Sequence, residues 1–339
     1  MHSAAYWVAS MSLNRTTGPA WFRIDPYVIA IVMVAALASV LPVRGSVASG
    51  FSLATKLAIA LLFFLHGAKL SREAVISGLT HWRLQLTVLA ATFVLFPVLG
   101  LATRLLPADL VPGAFSAGLM YLCCLPSTVQ SSIAFTSVAR GNVAAAVCAA
   151  SASNLLGIVV TPILVALTLG VSGHGDALGE VGAVAVQLFL PFAAGQIARP
   201  WLRDWIGRHS RLVGYVDRGS ILLVVYVAFS AAVSSGLWTR VSAAQIGVLA
   251  VICAVLLAVV LAATALASRA LGFSREDEIA VVFCGSKKSL ASGAPMASIL
   301  FPAATAGALV LPLMIFHQLQ LIACAFIAQR WAATASRGT

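Results

Sequence analysis

Acidic residues are scarce in this chain. Ten aspartates and glutamates stand against 21 lysines and arginines in 339 residues, and charge of either sign makes up only 9% of the sequence. The ten carboxylates, Asp25, Glu73, Asp109, Asp176, Glu180, Asp204, Asp217, Glu276, Asp277 and Glu278, fall in loops or at the ends of apolar runs. Acid–base catalysis inside a membrane needs such groups in the interior, and no Ser-His-Asp, metal-ligand or phosphate-loop constellation replaces them. An enzyme is therefore not expected. Polar stretches long enough to form a separate soluble domain are missing too. The six cysteines, Cys123, Cys124, Cys148, Cys253, Cys284 and Cys324, lie in apolar segments without metal-ligand spacing, so they read as reduced, buried residues and not as a disulfide framework. The net charge of +11 does not point to nucleic acid, because the basic residues are scattered between apolar spans and make no continuous face with interleaved aromatics.

Apolar sequence is what the chain has, at 61% of residues. With about 20 residues per crossing, ten spans fit: 27–43, 51–68, 83–103, 111–138, 142–168, 179–198, 218–238, 244–267, 277–301 and 304–329. The fold class is an all-α polytopic membrane protein. A signal peptide is a weaker account of the N-terminus, since the polar lead is long and the first apolar run nearly spans. Alternate loops differ sharply in basic residues. Fifteen lysines and arginines fall on one side and only Arg44, Arg104 and Arg240 on the other, with Lys56, Lys287 and Lys288 inside spans. The positive-inside rule then puts both termini in the cytoplasm and the protein in the inner membrane.

Ten spans divide into two sets of five that enter the membrane from opposite faces, as in an inverted repeat. The expected boundaries are a cytoplasmic segment 1–26, a first repeat 27–175, a second repeat 176–330 and a tail 331–339. Spans four and nine correspond, and both are interrupted by small, polar, helix-breaking sequence. The fourth carries Pro126-Ser-Thr-Val-Gln-Ser-Ser132, and the ninth carries Gly285-Ser-Lys-Lys-Ser-Leu-Ala-Ser-Gly-Ala-Pro295. Paired broken helices are the best sequence pointer to a transporter's central site.

Depth singles out Lys287 and Lys288. Lys287 lies ten residues beyond Asp277, about 15 Å along a helix and half of a roughly 30 Å hydrocarbon core. An ammonium there costs about 2.5–3.5 kcal/mol on insertion scales and must face protein or a wet cavity. Lys56, close to a span end, reads as a snorkelling residue. Adjacent helical residues point about 100° apart, so one lysine is expected to face the cavity and the other to hold carbonyls near Gln130 and Ser131. Which does which is open. No carboxylate lies at that depth, so either an ammonium gives up its proton in the empty state or an anionic ligand supplies the counter-charge. Ser286, Ser289, Thr128, Ser131, Ser132, Asn154 and Thr92 are neutral candidates for the same lining. His317 joins the lysines as a candidate for proton coupling.

Three segments carry a specific resemblance: Pro126-Ser-Thr-Val-Gln-Ser-Ser-Ile-Ala-Phe-Thr-Ser-Val-Ala-Arg-Gly-Asn142, Ser153-Asn-Leu-Leu-Gly157 and Phe283-Cys-Gly-Ser-Lys-Lys-Ser289. The chain resembles the bile acid:sodium symporter family, in its SBF-like branch, from about Tyr27 to Arg330. The resemblance implies a panel domain of spans 1, 2, 6 and 7, and a core domain of spans 3–5 and 8–10. Spans four and nine would cross where they unwind, and core would move against panel in alternating access. It also exposes departures. Sodium-coupled members have a Glu and a Gln where this chain has Phe283 and Lys287. Their other ion ligands correspond to Ala146, Ala150, Ile133 and Thr92, and only Ser132 keeps a match, as a vestigial sodium ligand. The resemblance thus implies secondary transport of an organic anion (bile-acid-like, steroid sulfate or small carboxylate) without the usual two-sodium coupling. The competing expectations are a sodium-coupled symporter with altered ion sites, and a non-transporting scaffold or ion-homeostasis regulator. The scaffold would act through the basic loop Arg199–Arg218, where Trp201 and Trp205 suit anionic lipid. No cofactor is expected, the partners are the anion and membrane lipid, and the oligomeric state is open.

Overall fold

The computed structural model describes residues 26–69, 81–107, 109–111, 113–170 and 177–335. The terminal segment 1–25, the tail 336–339 and the connections 70–80 and 171–176 lie outside them. So do Asp25, Glu73 and Asp176, together with Arg15, Arg23, Arg72 and Arg337 of the charge count.

Helix is the only regular structure among the described residues, as expected where every backbone group must find its partner within its own segment. In chain order the helices are α1 (Pro26–Val40), α2 (Ser46–Lys69), α3 (Trp82–Ala90), α4 (Phe96–Thr103), α5 (Gly113–Cys124), α6 (Gln130–Val138) and α7 (Val143–Leu169). They continue with α8 (Ala177–Arg208), α9 (Ser210–Ser234), α10 (Leu237–Arg240), α11 (Ala243–Ala270), α12 (Arg275–Gly285), α13 (Leu290–Leu300) and α14 (Ala303–Ala335). Among the described residues, six stretches are long and apolar enough to cross a membrane, and there are shorter apolar helices as well. The protein is a polytopic membrane protein. Met33, Leu57, Val94, Val251 and Ile322 stand exposed along the outer faces, where lipid tails replace water.

Helix ends follow local chemistry. Ser274 caps α12 by accepting from Asp277 N, and Glu276, Asp277 and Glu278 sit in its first turn, against the positive end of the helix dipole. Asn142 caps α7, which closes at Gly170 in the left-handed region. α2 packs chiefly on α8, through two glycines set one against the other. A Cβ on Gly67 would stand 2.1 Å from Phe192 O, and one on Gly195 would stand 2.0 Å from Phe64 O. The backbones touch there, and only glycine fits.

Four sequence expectations change. The expected break across 126–132 is shorter, because the helix resumes at Gln130. The break expected over 285–295 covers only the four residues between α12 and α13, and α13 runs straight through Pro295. The stretch 199–218 is not a loop. α8 continues past Pro200 to Arg208 and α9 starts at Ser210, since a helix carries its own backbone partners into the polar layer. Finally, Asp217 lies inside α9 and is 6% exposed, paired with Lys69 at the end of α2, while Glu278 in α12 is also buried and holds Arg269 and Arg275. Both carboxylates are thus buried in the protein, with Glu278 in the first turn of α12. Each has its own cation away from the central lysines.

Candidate functional site

Two interrupted helices meet at their interruptions. α5 stops at Cys124 because Pro126 offers no N–H, and the turn Leu125–Val129 precedes α6. Its freed carbonyls are each taken by another element. Cys124 O accepts from Thr161 Oγ1 at 2.8 Å, Pro126 O from Ser289 N at 2.9 Å, and Ser127 O from Asn154 Nδ2 at 2.6 Å. Across the crossing, the end of α12 is satisfied in return. Ser132 Oγ donates to Phe283 O at 2.9 Å and Ser127 Oγ donates to Cys284 O. Each break therefore completes the other, which is what irregular backbone in a membrane interior requires.

Lys288 fills the remaining gap. Its ammonium, fully buried, donates to Thr92 O at 2.9 Å, Cys123 O at 2.9 Å and Leu125 O at 2.7 Å, and stands 4.0 Å from the centre of the Phe96 ring. All three of its N–H bonds are used. Thr92 O is free for a local reason. A π-helical turn, Ala91–Leu95, sends Phe96 N to Ala91 O, and the next residue is Pro97. The backbone of Lys288 is held as well: its N–H donates to Gln320 Oε1 at 2.8 Å and its C=O accepts from Gln320 Nε2 at 3.0 Å. His317 lies beside this pair, with Nδ1 2.8 Å from Gln320 Nε2.

Lys287 is held differently. Equally buried, it donates to Ser131 O at 2.9 Å and sits over two rings, 3.9 Å from the Phe135 centroid and 5.3 Å from that of Phe283. One carbonyl and two aromatic faces form a softer seat than three carbonyls. Both lysines are fully buried, because the unwound backbone at 286–289 turns both stems inward, and Lys287 is the one that holds a carbonyl at Ser131. Among the described residues no carboxylate pairs with either ammonium.

The remaining residues divide between the crossing and its margins. Asn154 joins both breaks, since its amide donates to Ser127 O while its Oδ1 accepts from Ser292 Oγ at 2.8 Å, and Ser289 Oγ continues the chain to Ser292. Thr128 Oγ1 lies 2.7 Å from Ser131 Oγ and 3.1 Å from Ser132 Oγ. Ser286 spends its hydroxyl on Val282 O of its own helix, and Thr92 does the same with Val88 O, so Thr92 serves through its carbonyl. Gln130 is exposed at the start of α6. Ser127, Ser292 and Gln320 belong to the network although the sequence did not single them out as site residues. Ser127 and Ser292 lie within the two helix-breaking segments, and Gln320 is an amide three residues from His317 in an apolar span.

Paired broken helices around a buried positive centre define a membrane transporter rather than an enzyme. The sequence profile of the SBF-like CPA transporter family matches residues 25–333. An uncharacterized protein of Pseudomonas aeruginosa, PA2026, is 54% identical over 92% of this chain and 94% of its own length. The Escherichia coli K12 protein YfeH is 53% identical over 91% and 94%. Sodium/bile acid cotransporter 7 of Rattus norvegicus is 31% identical over 78% and 79%. The chain belongs to the SBF-like CPA transporter family, and is thus a membrane transporter of the bile acid:sodium symporter type.

Proposed function

We propose that this protein is a secondary transporter of an organic anion, a bile-acid-like molecule, a steroid sulfate or a small carboxylate, that works by alternating access without the usual two-sodium coupling. One observation carries the proposal: two buried ammonium groups at the crossing, held by carbonyl dipoles and rings, with no carboxylate beside them among the described residues. Dipoles orient a charge but do not cancel it, so the site keeps a net positive charge for an anion to meet. Lys287 is the lysine that meets it, because a single carbonyl and two rings release it more readily than three carbonyls release Lys288. Sodium belongs to the names of the relatives. Here the carbonyls that would suit a cation already hold Lys288, which argues against a sodium-coupled symporter with altered ion sites. A proton is the coupling candidate, with His317 and the lysines as its carriers.

The architecture proposed with this function has ten crossings in two inverted five-helix repeats, 27–175 and 176–330. The paired breaks support it, and so does the packing of α2 on α8 and of α1 and α2 on α9, although α9 also packs on α14. Segment 1–26 and tail 331–339 face the cytoplasm, and the protein sits in the inner membrane, by the distribution of basic residues. Uptake into proteoliposomes tests the function. Taurocholate, estrone sulfate and small dicarboxylates are supplied with an inward gradient of Na⁺, K⁺ or choline. At least one anion class should enter equally well with all three cations. Uptake that requires Na⁺ selectively would refute the proposal.

A further inference from the structure

We infer that the carbonyls around Lys288 form a preorganised binding cage for a monovalent cation of ammonium or potassium size, of which the lysine side chain is the permanent, covalently attached occupant. The inference rests on the cation-independent transport proposed above and extends it by naming what stands in the cation's place.

The backbone builds the cage, not the lysine. Thr92 O is released by the π-helical turn together with Pro97, which has no N–H to offer. Cys123 O would accept from Ser127 N in a continuous helix, but that N–H is turned to Ser153 Oγ at 3.0 Å. Leu125 O lies in the break itself. Three oxygens from two parts of the chain therefore converge on one point for reasons that do not involve residue 288. The ring of Phe96 closes a fourth side at 4.0 Å and is braced edge-on by Phe316, with ring centres 5.9 Å apart. Carbonyl oxygens in place of a hydration shell, with an aromatic face, are the chemistry that desolvated monovalent cations select.

Size selects among them. The oxygens stand 2.7–2.9 Å from the nitrogen, farther than the roughly 2.3–2.6 Å at which oxygen holds Ca²⁺, an ion close to Na⁺ in radius. Gln320 clamps the backbone of Lys288 on both its N–H and its C=O, so the stem enters the cage from a fixed point. A transporter with this cation attached needs none from solution at that place.

Chemical rescue tests the cage. Lys288→Ala removes three methylenes and the amine, a volume that n-propylammonium matches. The full-length purified variant should lose thermal stability and regain most of it with n-propylammonium, with a Tm that climbs with the logarithm of amine concentration. Methylammonium and K⁺ should restore less, Na⁺ and choline little, and the unaltered protein should not respond to any of them. Rescue by neutral n-propanol equal to that by n-propylammonium would overturn the inference, since filled volume would then suffice. So would Na⁺ outperforming K⁺, or no response to any cation. If Lys288→Ala does not accumulate, Lys288→Met keeps the stem without the charge, and stability equal to the parent would overturn the inference as well. Sodium-dependent uptake by the unaltered protein, alongside intact amine rescue, would uphold the cage and count against the transport proposal alone.

Discussion

Replacing each lysine by methionine separates a fastener from a mobile charge. Methionine keeps the length of the stem and removes the donors and the charge. In Lys288→Met three carbonyl oxygens, of Thr92, Cys123 and Leu125, lose their partner at once. An unpaired buried polar group costs about 1–3 kcal/mol, so the gross loss is about 3–9 kcal/mol. Part of it returns, because the desolvation of an ammonium, several kcal/mol in effect, is no longer borne by the fold. A net destabilisation of about 3 kcal/mol follows. Lys287→Met removes only the bond to Ser131 O, and its thioether packs against Phe135 and Phe283 with a gain of about 0.3–1.5 kcal/mol. Its net change should stay within about 1 kcal/mol. Thermal unfolding of both variants at one scan rate, followed by intrinsic fluorescence, measures the contrast, and anion uptake should fail in Lys287→Met despite its native stability. Equal losses, or a larger loss in Lys287→Met, would refute the division of roles.

Two further substitutions probe the scaffold. Thr92→Val should keep stability within about 1 kcal/mol, since the hydroxyl bonds only its own helix while the carbonyl that serves Lys288 is unchanged; a loss as large as that of Lys288→Met would show that the side chain matters. Gly195→Ala should lower the Tm sharply and disturb the α2–α8 pair, because its new Cβ would lie 2.0 Å from Phe64 O, and a backbone cannot yield as a flexible side chain does. An unchanged Tm would contradict that close approach.

Much of the site was legible before any coordinates. Proline and small polar residues in otherwise plain apolar spans mark both interruptions, and Lys287 and Lys288 stand in the second of them. The assignment of roles was not legible. It depends on where carbonyls point, and that in turn depends on a π-helical turn at Ala91–Leu95 that no sequence period announces. The helical run through Arg199–Arg218 was missed because clustered arginines read as a connection, while the chain can as readily extend a helix past the bilayer edge. Asp217 reads as a boundary residue in the sequence because its partner, Lys69, is 148 positions away. The breaks are shorter than the sequence suggests for a related reason. Proline within α13 is tolerated once neighbouring helices satisfy the freed backbone.

The claim on which the account turns is that the positive crossing takes its counter-charge from an anion and not from a protein carboxylate or a co-bound sodium ion. Thermal stabilisation of the purified protein by taurocholate, estrone sulfate and small carboxylates, measured in sodium-free choline buffer, tests it most directly. The Tm should rise with anion concentration for at least one class, by the same amount when Na⁺ is added, and not at all in Lys287→Met. Stabilisation that appears only with Na⁺, or that survives intact in Lys287→Met, would contradict it.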